Sequence, residues 1–459
     1  MNSNRRSCCK CKTAPATVLI RHAYYCQKCF LFTFVGKFRS ILTKPQSLAR
    51  NKGKILLACS GGPASIAMLN LTTEFMRIGP GEKQSRKPTS EVVVCHIDES
   101  ALFEDQRESA EKLLKVMQEK YSHFPFICHR MEDVFSTEFT EESQFDNAFE
   151  TISGSSNQDY ACSLLVEAEY FVKTRESNLT DKTDQLKSLF NNISKNTAKE
   201  DLYWHIKMAM LVSVARRESC TYIYLADSAT RQAIKMISMT AKGRGYSTPM
   251  DVGVANNTCF KDIVIIRPMK DMLSKEIGLY NRFCQLDQYV IAPTDWTTKM
   301  QAKSSIDRLT EGLERDFPST VSTISRTASK LTAPNDMDVT KKCAICLMPR
   351  QSGIIEWRKR ITVTDVGESS DSRSCANQEQ CCGGGSCGSE GALVNLNQYL
   401  CYSCQVNLNE YKQPAVEALP PYTVQRVKNE DREERLRSQI QEFLLDDNDD
   451  ECNDTNRAV

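Results

Sequence analysis

The stretch Ile55–Ser65 constrains the chain more than any other. Ile55-Leu56-Leu57-Ala58 runs through Cys59 into Ser60-Gly61-Gly62, and a helix-compatible segment, Ala64 to Arg77, follows. A buried strand that ends in a turn of small residues at a helix start is a geometry for holding phosphate. Backbone N–H groups converge there, and the helix dipole favours negative charge. No Gly-Lys-Ser/Thr follows at the spacing of a Walker loop, which excludes that class. Any buried parallel strand can end in Gly-Gly before a helix, so the neighbouring elements must carry the assignment.

Those elements alternate. Glu91–Ile97, centred on Val92-Val93-Val94-Cys95, is predicted as a second buried strand, residues 103–120 as a helix, and Phe124–Cys128 as a third strand. Residues 136–200 are polar, with Ser-Gly-Ser-Ser and Asn-rich pieces, and are expected to form a partly disordered insertion. Helix Asp201–Glu218, strand Thr221–Ala226, a helix from Ala229, a Gly243-Arg244-Gly245 turn, strand Asp262–Arg267 and helix Ser274–Phe283 complete the series. Alternation of this kind predicts an α/β fold with a parallel sheet. Its ligand site lies at the carboxyl ends of the strands, where Ser60-Gly61-Gly62 falls.

The chain has 459 residues and 21 cysteines, several in close pairs. Arg5, Arg6 and clustered cysteines stand where a signal peptide needs an apolar core. No stretch approaches the ~18 apolar residues of a membrane span. The expectation is a cytoplasmic protein, in whose reducing surroundings paired cysteines mean metal or redox chemistry rather than disulfides. Cys8 and Cys11 form one Cys-x-x-Cys knuckle and Cys26 and Cys29 a second, a spacing close to a four-thiolate zinc ribbon. Cys343 with Cys346 and Cys401 with Cys404 repeat the arrangement near the other end. No histidine follows His205, so a metal there would be held by thiolates alone. The intervening Cys375, Cys381, Cys382 and Cys387 are expected to be incidental to a Gly/Ser-rich loop.

Net charge is +1, yet residues 1–54 carry twelve Lys or Arg and no Asp or Glu, while Glu442–Asp454 carries only acidic charge. An all-basic arm suggests a polyanionic partner. In it Arg21, Lys28, Lys37 and Arg39 interleave with Tyr24, Tyr25, Phe30, Phe32, Phe34 and Phe38. That mix suits RNA, through stacking and phosphate contacts, and equally suits a small core packed on the next domain. The expected organisation is a basic Cys-knuckle zinc module at 1–50, an α/β domain at 51–335 interrupted by 136–200, a second Cys-knuckle module at 336–428, and a tail at 429–459 that is a frayed helix with an acidic, disordered end.

Two thiolate knuckles, a Ser-Gly-Gly loop on an α/β domain and two further knuckles resemble the PP-loop ATP pyrophosphatase superfamily, specifically the cytoplasmic tRNA 2-thiolation proteins. Family members carry Ser-Gly-Gly-x-Asp-Ser where this chain has Ser60-Gly61-Gly62-Pro63-Ala64-Ser65. Ile266-Arg267-Pro268-Met269-Lys270-Asp271 with Lys275-Glu276-Ile277, and Phe317-Pro318-Ser319-Thr320-Val321 with Arg326-Thr327, are similar to the same group. The resemblance implies a PP-loop-like domain and a part in 2-thiolation of the wobble uridine, U34, of cytoplasmic tRNAs of the Lys, Glu and Gln type. There ATP activates the uridine C2 oxygen as an adenylate, a sulfur nucleophile displaces AMP, and a thiocarboxylated, ubiquitin-related carrier supplies the sulfur.

Departures from the family pattern set the expected role. Ala64 removes the loop's carboxylate, and Pro63 has no N–H to offer a phosphate. The helix Tyr203-Trp204-His205-Ile206-Lys207-Met208 lacks the Cys-x-x-Cys that active sulfurtransferases place before the fourth strand, and Ala292–Trp296 lacks their later cysteine. Leu225-Ala226-Asp227-Ser228 keeps one carboxylate, expected to cap the next helix. The expectation is therefore a catalytically degenerate subunit without catalytic residues of its own. It would carry structural zinc, a nucleotide loop of Ser60, Gly61, Gly62 and Ser65 whose ATP binding is doubtful, and no iron–sulfur cluster. It would pair as a heterodimer with a catalytic PP-loop subunit and contact tRNA through Arg21, Lys28, Lys37, Arg39, Arg216, Arg217, Lys242 and Arg244. The alternatives are a sulfurtransferase active on its own and a zinc-stapled adaptor that does not bind tRNA.

Overall fold

The computed structural model describes residues 6–20, 22–43, 53–76, 91–103, 108–136, 164–166, 169–171, 181–291, 319–328, 330–333, 337–354, 394–412 and 419–440, with isolated positions 139, 312, 357 and 360. The chain opens with a hairpin of β1 (Val18–Ile20) and β2 (Ala23–Tyr25), followed by helix α1 (Gln27–Thr43). Strand β3 (Lys54–Ala58) leads into α2 (Pro63–Met76), then β4 (Val92–Asp98), α3 (Ser109–Lys120) and β5 (Phe126–Arg130). A short hairpin, β6 (Leu164–Val166) and β7 (Glu169–Phe171), precedes α4 (Lys182–Asn191) and α5 (Asn196–Arg217). There follow β8 (Cys220–Tyr224), α6 (Ala229–Ala241), α7 (Thr248–Val252), β9 (Ala255–Asn256), β10 (Val264–Ile266), α8 (Ser274–Phe283) and α9 (Thr320–Ala328). The last described elements are β11 (Val394–Asn395), α10 (Tyr402–Leu408) and α11 (Pro421–Ile440).

Six strands form one sheet in the order β5-β4-β3-β8-β10-β9. All neighbours are parallel except β9, which runs antiparallel to β10 at the edge. From β3 the chain winds outward through β4 and β5, then returns to lay β8 on the other side of β3. The reversal of strand order lies between β3 and β8, where Leu57 pairs with Tyr224; in open parallel sheets ligands bind outside the carboxyl ends of the strands at such a point.

Alternation along the central strands divides the core between two faces, because successive side chains of a strand point to opposite sides. Ile55 and Leu57 of β3, Val92 and Val94 of β4, and Tyr222 and Tyr224 of β8 pack on one face with α1, α2, α3 and α8. Leu56, Val93, Cys95, Ile97 and Ile223 pack on the other with α4, α5 and the C-terminal segment around Cys343 and Tyr399. The two cysteine-rich ends therefore cover opposite faces of one sheet. The aromatic run of α1 is core as well: Phe34 stacks on Tyr280 at 4.6 Å between ring centroids, and Phe30 meets Phe283 edge-on at 5.8 Å. Their four-residue spacing places Phe30, Phe34 and Phe38 on one helical stripe, leaving Phe32 exposed on the opposite side.

One expected boundary moves. The polar segment 136–200 ends in ordered structure: Asp181 caps α4 by accepting from the N–H of Thr183, and Leu186, Leu189 and Phe190 are buried against α5. Sparse apolar residues at 186, 189 and 190 lie on one helical face, which a reading of overall polarity passes over. The helix expected in the tail is α11, which begins at Pro421 and runs to Ile440; residues 441–459 lie outside the described ones, as do Cys375, Cys381, Cys382 and Cys387.

Candidate functional site

The Ser-Gly-Gly turn sits at the carboxyl end of β3, and Pro63 opens α2, a position that has no intrahelical use for the missing N–H. Gly61 has a φ of 79°, a left-handed conformation that costs a side-chain-bearing residue free energy. The side chain of Ile291 lies directly over it, and the Ile291 N–H donates to the Gly61 carbonyl at 2.9 Å. Ser65 is buried, and its hydroxyl donates to the Gly62 carbonyl at 2.9 Å while lying 3.5 Å from the Ser60 hydroxyl. The Asn281 amide donates to the Pro63 carbonyl at 2.9 Å. Ser60, Gly61, Gly62 and Ser65 are thus brought together: the Ser65 hydroxyl closes the turn on itself, the Gly61 carbonyl ties it to Ile291, and the Pro63 carbonyl ties the helix start to α8.

Among the described residues near this turn, several charged side chains pair with one another. Asp227, after β8, accepts from Arg267 Nε at 3.2 Å, and Arg267 is almost wholly buried. Arg267 also lies 3.9 Å from Asp251, which pairs with Lys235 at 3.1 Å. The cap expected of Asp227 belongs to Ser228, whose hydroxyl accepts from the Arg231 N–H. Glu99, after β4, pairs with Lys207 of α5. Burial acts against the Glu99 carboxylate, but the Lys207 charge and hydrogen bond outweigh it and hold its pKa below the usual range. His96 of β4 is buried beside the loop, with Nδ1 2.9 Å from the Cys59 carbonyl oxygen and no partner on Nε2. Burial lowers its pKa, so the ring is neutral.

The eight paired cysteines form two groups, Cys8, Cys11, Cys26 and Cys29, and Cys343, Cys346, Cys401 and Cys404. Within each group the sulfurs all lie within 4.8 Å of one another. Cys11 and Cys26 are 3.9 Å apart, and Cys346 and Cys401 are 3.7 Å apart. A tetrahedral ion held at about 2.3 Å from each of four sulfurs spaces them by about 3.8 Å, so each set fits a single metal ion. Both groups share one construction. A knuckle closes by an N–H to carbonyl bond four residues back, from Lys12 to Cys8 and from Leu347 to Cys343, with left-handed φ values of 59° and 64° at those closing residues. The second pair begins at a helix start, before α1 at Cys26 and before α10 at Cys401. Hydrogen bonds from the Thr13 side chain and then the Ala14 backbone hold the Cys11 thiol down to about 5. Burial raises Cys343, but hydrogen bonds from the thiols of Cys346, Cys401 and Cys404 outweigh it and favour the thiolate that binds metal.

The basic residues proposed for nucleic acid part company. Lys28 and Arg39 are exposed on α1, and Arg21 lies outside the described residues. Lys37 pairs with the buried carboxylate of Glu276 at 2.7 Å. Arg216 pairs with Asp262 at 2.8 Å, Arg217 lies 3.0 Å from His129 Nε2, and Lys242 pairs with Asp201 at 2.7 Å. Arg244 corrects the expectation of a phosphate contact. It is buried, donating to His205 Nε2 at 2.8 Å and the Ser403 hydroxyl at 2.9 Å, with Cys404 Sγ at 3.6 Å.

Residues 305–406, which contain Cys343, Cys346, Cys401 and Cys404, match the family model described as cytoplasmic tRNA 2-thiolation protein 2. The protein of that name from Danio rerio is 29% identical over 497 residues, covering 97% of this chain and 95% of its own. The one from Homo sapiens is 27% identical over 503 residues, covering 98% and 95%. Over nearly its whole length the chain is similar to the cytoplasmic tRNA 2-thiolation protein 2 family. Among solved structures it is similar to the U34-tRNA thiolase NcsA from Methanococcus maripaludis with its [4Fe-4S] cluster. That match has 14% identity and a TM-score of 0.48, covering 80% of this chain and 100% of that one.

One cofactor expectation is corrected. The expectation of no iron–sulfur cluster does not hold, because both four-cysteine groups could hold a metal. Sets of cysteine thiolates serve iron–sulfur clusters as well as zinc, so residue type alone does not choose between them. Several buried or partly buried polar residues also escaped the sequence. His96, Glu99, Lys207 and Arg267 sit in or beside apolar runs, and no local pattern marks the Glu99–Lys207 and Asp227–Arg267 pairs or the bond of His96 to the Cys59 carbonyl.

Proposed function

We propose that this chain is the non-catalytic subunit of a heterodimer that 2-thiolates U34 of cytoplasmic tRNAs, paired with a catalytic PP-loop subunit that receives sulfur from a ubiquitin-related carrier. The observation that carries the reading is the loop itself. It has kept the strand, turn and helix start of a phosphate cradle. Ala64 stands where a carboxylate would act, and Ile291 lies over Gly61.

Thiol chemistry supports the same role. Sulfur transfer needs an accessible thiolate beside the activated uridine. Cys59, the cysteine next to the loop, is buried in the core, and burial raises its pKa. Burial likewise pushes Cys220 and Cys259 up to about 11 and Cys95 up to about 12. These thiols behave as small apolar side chains rather than nucleophiles.

The N-terminal module supplies the tRNA-facing surface in this reading. Phe32 is 71% exposed, Lys10 Nζ stands 4.0 Å from its ring centroid, and Lys28 and Arg39 are exposed on the same helix as Phe32. An exposed aromatic with cations beside it suits stacking on an unpaired base with phosphate contacts alongside. Reconstitution tests the proposal: the catalytic subunit, carrier, ATP and tRNA are assayed for 2-thiouridine with and without this chain. Product formation is expected to require the chain. A rate unchanged by leaving it out refutes the reading, as does thiolation by this chain alone.

A further inference from the structure

The turn after α6 and the second cysteine pair of the C-terminal group are locked together residue by residue. Gly243, with a φ of 73°, brings its backbone so close to Tyr402 that a Cβ there would lie 2.6 Å from the ring. Arg244 Nε donates to the Ser403 hydroxyl at 2.9 Å, and Nη2 lies 3.6 Å from Cys404 Sγ. Lys242 and the Asn407 amide of α10 share Asp201 of α5, at 2.7 and 3.0 Å. Consecutive residues of the turn thus hold consecutive residues of the Cys401-Tyr402-Ser403-Cys404 knuckle.

Four thiolates around a divalent ion leave a net charge of −2, and Cys343 and Cys404 lie in a core from which water is excluded. A buried charge of that size needs a counter-charge and hydrogen-bond donors on its sulfurs. Arg244 meets both needs. Its guanidinium is always protonated, is itself buried, and is oriented by His205 Nε2 at 2.8 Å on one side and Ser403 on the other. Asp201, the nearest carboxylate, lies 3.8 Å from Arg244 and 2.7 Å from Lys242, so one carboxylate is shared by two cations and leaves net positive charge beside the sulfurs.

We propose that Arg244 is the counter-charge and sulfur hydrogen-bond donor of the Cys343–Cys346–Cys401–Cys404 metal centre, a positioning residue that sets how firmly this group holds its metal. The proposal is independent of the tRNA reading. It joins the α/β sheet to the C-terminal centre, since Arg244 and His205 come from the sheet's own connections.

The full-length chain loaded with Co²⁺ tests it. Metal release to an excess of chelator is followed at the thiolate-to-cobalt charge-transfer band. A Cys26→Ser chain, whose N-terminal group is broken, identifies the C-terminal phase. Arg244→Met, which keeps the volume and removes the charge, is expected to speed that phase by about 10–100-fold and to shift the band. Arg244→Lys, which keeps charge but not the fork, is expected to fall between. The N-terminal phase should not change. If Arg244→Met does not fold, Ser403→Ala is read instead; freeing one side of the guanidinium should still speed release and move the band. Unchanged release and an unchanged band in the folded variant overturn the proposal, as does a wild-type chain that takes up no Co²⁺ at the C-terminal group.

Discussion

The Ile291 N–H donates to the Gly61 carbonyl at 2.9 Å, and the Ile291 side chain fills the space a Cβ at Gly61 would need, 2.5 Å from its Cδ1. Loop and cover are therefore one packed unit, and the turn tolerates only glycine. Gly61→Ala is expected to destabilise the chain by about 1–3 kcal/mol, from left-handed strain and displacement of Ile291. Urea unfolding measures this; a change within a few tenths of a kcal/mol would contradict the close approach.

Arg267 and Arg216 form a contrast in burial. Arg267 lies between Asp227 and Asp251 with its side chain 1% exposed, whereas the Arg216–Asp262 pair is open to water. Arg267→Met leaves buried carboxylates short of a partner and should cost about 3–5 kcal/mol. Arg216→Ala should cost no more than about 1 kcal/mol, and less in high salt. Thermal unfolding of the two variants side by side checks the ranking, and equal losses would refute it.

His96 couples stability to pH. Burial holds its folded pKa below the ordinary 6.5, so the unfolded chain binds a proton first as pH falls. Its contribution is fully present above the ordinary value and is lost as pH drops from there toward the folded pKa. The slope is at most about 1.4 kcal/mol per pH unit for one group. His96→Gln should flatten the stability curve on the acid side of pH 6.5. An identical curve for variant and wild type would rule out the neutral buried ring.

Ala64→Asp restores the carboxylate missing from the loop but adds no thiol. The isolated variant is expected to form no 2-thiouridine from ATP, tRNA and a sulfur donor, as judged by nucleoside mass spectrometry. Robust thiolation by this single change would sink the non-catalytic reading.

The two cysteine groups differ in what depends on them. Cys343 is wholly buried in the core shared with α5 and the sheet, while Cys11 is half-buried at the surface end of its module. Cys343→Ser should lower the main unfolding transition by several degrees and lose metal. Cys11→Ser should lose metal with a smaller shift of that transition. Elemental analysis with calorimetry distinguishes them; reversed shifts would contradict the placement.

Much of the fold was legible because its signals are local. Lys54–Ala58 and Ser274–Phe283 appear within a residue or so of where apolar runs and helix boundaries placed them, since pattern and backbone preference agree there. Cys-x-x-Cys spacing likewise fixes a knuckle whatever surrounds it, because four residues close the turn on their own. Strand Phe126–Arg130 falls two residues later than expected and helix Ser109–Lys120 starts later, at polar ends where propensity is weak and packing decides.

By itself, then, the sequence determined the parallel α/β plan, the Ser-Gly-Gly turn and the cysteine pairs, all set by interactions within a few residues. Only the tertiary structure decided that the two cysteine-rich ends cover opposite faces of one sheet, that Ile291 lies over Gly61, and that Arg244 turns inward toward Cys404 rather than out toward solvent. The physical reason is the same in each case. A basic residue in a turn carries no mark of its destination, and Arg244 is buried because Ser403 and Cys404, about 160 residues further along, bring the hydroxyl and sulfur that its charge can satisfy.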